Sequence, residues 1–158
     1  TVQQGQSEVW VNGQLTTSRL HGEAVGAAAS AVAMVPAVRQ VITARLRRLR
    51  CQADLVMEGR DIGTVVFPDA TVKFFLDASI ERRGQRRFRD LQAAGQVATL
   101  EHVTQAVAAR DAQDRSRSVS PLLPAVEARM IDTTDLTIDE VVQLMLSEIY
   151  PQILQGDE

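Results

Sequence analysis

Ala53-Asp-Leu-Val-Met-Glu-Gly-Arg-Asp-Ile-Gly-Thr-Val-Val-Phe-Pro68, with Val72-Lys-Phe-Phe-Leu-Asp77 close behind it, decides the architecture. Ala53–Met57 is a short apolar run and reads as a buried strand that opens into Glu58-Gly-Arg-Asp-Ile-Gly63. Val72–Asp77 reads as a second strand and Met130-Ile-Asp132 as a third. Between them lie two helical patterns, one from Ser79 as N-cap through about Ala94, the other from about Leu100 to Arg115. Strands alternating with helices predict an α/β fold, a parallel sheet with crossover helices. Such sheets take their ligands at the carboxyl ends of strands, which makes residues 58–63 the first candidate site.

Outward from this centre, Glu8-Val-Trp-Val-Asn-Gly-Gln-Leu-Thr-Thr17 places alternating runs on both sides of Asn12-Gly13, a strong β-hairpin signal. An alanine-rich helix is predicted from Gly22 to Val35, and a second from Pro36 to about Arg50 with Val38, Val41, Ile42, Leu46 and Leu49 on one face. Thr137 is placed to cap a last helix whose Val141, Val142, Leu144, Met145 and Ile149 face a core. Three strands are few for a covered parallel sheet. The chain also opens without a methionine in what reads as a β meander, so further sheet is expected on the amino-terminal side.

The 158 residues are 45% hydrophobic and 23% charged, the profile of one ordinary globular domain. The net charge of −3 argues against an RNA-contacting domain, which would carry a basic field. Lys73 is the one lysine, so nearly all the positive charge is arginine, the side chain that grips phosphates and carboxylates with paired hydrogen bonds. A lone Cys51 and two distant histidines, His21 and His102, exclude a disulfide and predict no metal site. No stretch is long and apolar enough for a membrane helix and none reads as a signal peptide, so a cytoplasmic address is expected.

The arginine positions carry the chemistry. In the strand-end loop, Gly59 and Gly63 permit tight turns, Arg60 offers a fork for phosphate, and Asp61 an acceptor for an amine or hydroxyl. In Glu81-Arg-Arg-Gly-Gln-Arg-Arg-Phe-Arg89, Arg82/Arg86 and Arg83/Arg87 form two same-face pairs whose repulsion invites an anion. A solvated face balanced by Glu81 and Asp90 accounts for the cluster equally well. Arg110, Asp114 and Arg117 recur at i, i+4, i+7, so one helical face is expected to present all three. Arginines on a mobile helical hairpin above a strand-end loop suit a polyphosphate transition state.

Glu58-Gly-Arg-Asp-Ile-Gly-Thr-Val-Val-Phe-Pro-Asp-Ala70, then Val72–Ser79, and then Arg110-Asp111, Asp114-Arg115, Arg117 and Pro121-Leu122 closely resemble the bacterial cytidylate kinases, over essentially the whole chain. The resemblance implies a P-loop nucleoside monophosphate kinase fold and transfer of the γ-phosphate of ATP to CMP or dCMP with Mg2+. It makes residues 1–50 a nucleoside-monophosphate-binding insert (hairpin plus helices) and residues 51–158 the remaining core, with a helical lid at about 79–120. It assigns Ser30, Arg39 and Asp61 to the cytosine, Arg60 to the CMP phosphate, Arg110 and Asp114 to the ribose side, and Arg117 to closure on the nucleotide. Arg60, Arg110 and Arg117 become the catalytic arginines, and Arg83, Arg86 and Arg87 the lid residues over the ATP phosphates. His21 stands near a position where many members carry arginine, a departure Arg19 could cover. The family's Gly-x-x-x-x-Gly-Lys-Ser/Thr loop is not in these residues. The expectation is therefore a kinase whose amino-terminal P-loop portion is missing here and whose present residues are inactive alone. The alternative is a non-catalytic CMP-binding module.

Overall fold

The computed structural model describes residues 2–3, 6–17, 20, 23–51, 54–118 and 120–153. Arg19 and His21 lie outside the described residues, as do Gly22 and Ala53 at the starts of a predicted helix and strand. The chain divides into two compact units, Thr1–Arg48 and Leu49–Glu158.

In the first unit, β1 (Val2–Gln3) pairs antiparallel with β2 (Gln6–Ser7), and β3 (Trp10–Val11) with β4 (Gln14–Leu15). Asn12 and Gly13 have φ of 50° and 79°, the left-handed pair that a two-residue turn requires. Helix α1 spans Glu23–Ala33 and α2 spans Pro36–Leu49, with proline opening α2 where no N–H is needed. Of the apolar residues predicted to share a face of α2, Val38 and Leu46 are half-buried while Val41, Ile42 and Leu49 are exposed. Among the described residues no single helix is long and apolar enough to cross a membrane; α1 and α2 reach that length only together, across a 96° bend.

In the second unit, β5 (Phe74–Asp77) and β6 (Arg129–Asp132) run parallel, with Phe74 opposite Arg129 and Asp77 opposite Asp132. Helices α3 (Ile80–Ala93) and α4 (Leu100–Ser116) make the crossover between them, and α5 (Ile138–Ile153) follows β6. Local chemistry sets the ends of these helices. Ser79 caps α3 by accepting from the Arg82 amide, and Gly95 (φ 71°) closes it with Gly95 N–H on Gln92 and Gln96 N–H on Leu91, a Schellman pattern. Thr137 and Glu140 form a reciprocal capping box at the start of α5. The Thr137 amide and hydroxyl hold the Glu140 carboxyl below the usual glutamate range.

The hairpin α3/α4 is tight. A Cβ on buried Gly84 would fall 2.3 Å from Thr104 Oγ1 and 3.1 Å from Thr104 Cα, so only glycine permits this approach.

The predicted strand at residues 53–57 is not observed. Residues 54–58 form no ladder, and Val56 is fully exposed. An apolar run describes side-chain preference, but a strand exists only where a neighbour supplies hydrogen bonds. Among the described residues none pairs with it, so the parallel sheet holds two strands where three are expected.

Candidate functional site

The loop that follows is more structured than its composition suggests. Residues 59–61 bend and Ile62–Val66 form a π-helical turn, closed by i+5 bonds from Val66 to the Asp61 carbonyl (3.1 Å) and from Phe67 to the Ile62 carbonyl (2.7 Å). Such turns recur at functional sites. Asp61 itself is buried at the mouth of this turn. A Cβ on Gly59 would lie 2.8 Å from Ile62 Cγ1, so a larger residue there would have to displace the Ile62 side chain. At Gly63 a Cβ would meet only ordinary contacts, at 3.5 Å and beyond.

Arg60 is the loop's outward group, with 42% of its side chain exposed. Its Nε lies 3.2 Å from Asp114 Oδ2 and its Nη1 4.0 Å from Asp111 Oδ1. Asp114 is 1% exposed, the most buried carboxylate in the unit, and its other oxygen accepts from Arg117. Asp111 Oδ2 sits 2.8 Å from Arg83 Nη2, and Arg83 Nη1 donates to Asp77 at the end of β5. Arg115 approaches Asp77 at 3.9 Å. A single chain of alternating charge therefore runs Arg115–Asp77–Arg83–Asp111–Arg60–Asp114–Arg117. Burying these carboxylates is tolerable only because each is paired.

The structure sorts the expected site residues. It brings together Arg60, Asp114 and Arg117, with Arg83 joined through Asp111. Arg110, Asp114 and Arg117 do not share one helical face. Helix α4 ends at Ser116, Arg117 is its extended C-cap, and Arg110 is exposed with no ion pair among the described residues. The three lid arginines also diverge. Arg83 lies between carboxylates; Arg86 donates to Thr133 O, Thr133 Oγ1 (2.9 Å) and Leu136 O (3.4 Å); Arg87 has no partner among the described residues. Ser30 in α1 and Arg39 in α2 are half-buried within the first unit, and neither is without a partner. Lys73 is engaged: its ammonium donates to Pro68 O and pairs at 3.0 Å with Glu127, whose carboxyl it holds below the usual range. Among the described residues no three His, Cys, Asp or Glu side chains gather as a metal site.

A family model for cytidylate kinase matches residues 1–151. The chain belongs to the cytidylate kinase family. Curated members it resembles include the cytidylate kinases of Ralstonia pickettii (47% identical over 138 residues, 87% of this chain and 60% of the relative) and Citrifermentans bemidjiense (43% over 150 residues, 95% and 64%). That of Pectobacterium atrosepticum is 46% identical over 143 residues, 90% of this chain and 64% of the relative. The chain thus spans about 60–64% of the length of these family members.

Three functional candidates were not legible in the sequence: Asp77, Asp111 and Thr133. Asp111 stands three residues before Asp114 on α4, and that i, i+3 carboxylate spacing was the available signal.

Proposed function

We propose that the complete protein is a cytoplasmic kinase that transfers the γ-phosphate of ATP to CMP and dCMP. The observation that carries this reading is the buried Asp114 carboxylate with a guanidinium on each oxygen, Arg60 at 3.2 Å and Arg117 on the other. Two arginines oriented before any ligand arrives form a socket for a phosphate, and little reorganisation is needed when charge develops. Family membership supports the reaction class. In this reading residues 1–50 are the acceptor insert and 79–120 the lid, in which the Gly84–Thr104 contact binds α3 and α4 into one body.

Ser30, Arg39 and the buried Asp61 would read the cytosine, with Asp61 accepting from its amine. Arg110 and Asp114 would hold the ribose side. Arg60, Arg110 and Arg117 would orient the CMP phosphate. An oxygen of that phosphate forms a bond to the γ-phosphorus while the bond from the γ-phosphorus to the β–γ bridging oxygen breaks, and ADP leaves. Arg87, with Arg83 and Arg86 behind it, would lie toward the ATP phosphates. Magnesium, when bound, neutralises charge on those phosphates and is held chiefly by them, without a dedicated protein cage. Lys73 does not supply the P-loop lysine, since its ammonium is committed to Pro68 and Glu127. The ATP seat is accordingly proposed to lie in a phosphate-binding loop elsewhere in the complete protein.

The engagement of Lys73 also favours a second reading, a module that binds CMP without turnover. One experiment separates the two. CMP-dependent formation of ADP by the complete protein, with AMP as control, supports the kinase. Saturable CMP binding at one-to-one stoichiometry without ADP formation supports the module. Failure of both overturns the acceptor site.

A further inference from the structure

The chain of charges is not uniform along its length. At Asp114 it is tightest, since the carboxylate is fully buried, one oxygen accepts from Arg117, and the other is ion-paired with Arg60 Nε at 3.2 Å. At Asp111 it is loose. One oxygen is ion-paired with Arg83 at 2.8 Å, while the other stands 4.0 Å from Arg60, and neither carries a hydrogen bond from these guanidiniums. Arg60 is therefore anchored along its Nε edge by Asp114 and only electrostatically restrained at its outer nitrogen, on a side chain 42% exposed. A guanidinium in that state can exchange its outer carboxylate for a phosphate without losing its orientation.

We propose that Asp111 is a resident counter-anion of the acceptor site, a carboxylate that balances Arg60 and Arg83 when no nucleotide is present and sets how strongly the site draws a phosphate. The inference rests on the acceptor reading above. Asp111 is 12% exposed at its side chain, so its charge is poorly screened and acts on Arg60 at close range. It opposes any anion that approaches the same guanidinium. Arg83 acts in the opposite sense. By holding Asp111 Oδ2, and being held itself by Asp77 on β5, it keeps Asp111 from swinging fully onto Arg60. The lid helix α3 thus controls, through one carboxylate, how available Arg60 is in the loop.

This gives two substitutions opposite signs. Asp111→Asn keeps the shape and removes the competing charge, so CMP binds more tightly, by about three- to tenfold for one charge at this range. Arg83→Gln releases Asp111 to Arg60, so CMP binds more weakly by a similar factor. Cytidine, which has no phosphate, is unaffected by either. If the charge chain were only scaffolding, both substitutions would weaken both ligands together.

The test is calorimetric titration of CMP and of cytidine into the complete protein and the two variants, each checked by thermal melting. Tighter CMP binding by Asp111→Asn with cytidine unchanged supports the proposal; unchanged or weaker CMP binding by that variant overturns it. Should Asp111→Asn fail to melt cooperatively, Arg83→Gln decides. Weakening confined to CMP then supports the proposal, and equal weakening of both ligands, or none, overturns it. A wild-type protein that does not bind CMP fails the acceptor reading and the counter-anion with it. A wild type that binds CMP while the variants behave alike fails the counter-anion alone.

Discussion

Two rows of arginine descend helix α3, and they meet different partners. Arg82 and Arg86 donate to main-chain carbonyls of the loop after β6: Arg82 Nε to Thr134 O at 2.9 Å, and Arg86 to Thr133 O and Leu136 O. Arg83 and Arg87 face the other way. Arg83 lies between Asp77 and Asp111, and Arg87 has no partner among the described residues. A main-chain carbonyl is a fixed part of the fold and cannot be displaced by an anion, so a guanidinium that serves it is structural. A carboxylate can yield to a phosphate of greater charge, so a guanidinium held by one remains available to a ligand. The same side chain on one helix is thus committed or exchangeable according to what it meets.

The largest effect is expected where the exchangeable row is pinned. Asp114→Ala removes the carboxylate shared by Arg60 and Arg117 and leaves two guanidiniums facing each other across a dry gap. Losing one member of a buried ion pair costs about 3–5 kcal/mol; half-exposed Arg60 can rehydrate, which puts the loss at about 3 kcal/mol. Urea unfolding of the complete protein checks this, and a loss below about 1 kcal/mol would show that Asp114 is not the anchor.

Next comes the committed row. Arg86→Ala removes the bonds to Thr133 O, Thr133 Oγ1 and Leu136 O, leaving Thr133 O, among the described residues, with only the long bond from the Leu136 amide (3.4 Å), and is expected to cost about 2 kcal/mol, or about 5 °C in Tm. Arg87→Ala should move Tm by no more than about 1–2 °C while raising the KM for ATP, if it is the lid residue proposed. If the two substitutions destabilise equally, the distinction between the rows fails. Gly84→Ala tests the frame that carries both rows. Its new Cβ would fall 2.3 Å from Thr104 Oγ1 and force α3 from α4, a loss of about 1–3 kcal/mol. The double variant Gly84→Ala, Thr104→Ala should recover part of that loss.

How much of this was legible in the sequence follows the same division. Elements that declare themselves locally were readable: Asn12-Gly13 in its turn, Pro36 opening a helix, Ser79 and Thr137 as caps, and the strands at 74–77 and 129–132. Features that depend on a distant neighbour were not. The apolar run at 54–57 looked like a strand but has no ladder among the described residues. The π turn rests on two consecutive i+5 bonds, Val66 to Asp61 and Phe67 to Ile62, which no spacing rule announces. The motif arginines could be singled out from the sequence, but their partners come from 28 and 47 residues away, Arg83 to Asp111 and Arg86 to Thr133. Helical periodicity placed Arg117 on the same face as Arg110, but the helix ends one residue before it. Family resemblance proposes residues for the site; the fold shows which of them hold one another.

The smallest expected effect tests the loop that the committed row grips. Asp132 Oδ1, at the end of β6, accepts from the Thr134 hydroxyl and the Thr134 amide (2.9 Å), and these bonds hold its carboxyl below the ordinary value of 3.8. A carboxyl whose folded pKa is depressed stabilises the fold fully above its unfolded value and loses that contribution as pH falls through the folded one. Bracing of Thr134 by Asp132 should therefore be complete above pH 3.8 and fade below it. Arg82 holds Thr134 from the other side through its carbonyl, so weakening this brace should loosen the same loop. Asp132→Asn keeps an acceptor but has no charge to lose, so it should melt slightly below wild type at neutral pH, with the gap closing as pH drops under 3.8. Melting curves of both proteins across that range decide it. A gap that stays constant with pH would mean that the arginines, with the bonds from Ser79 and to Asp77, hold the loop without help from the Asp132 charge.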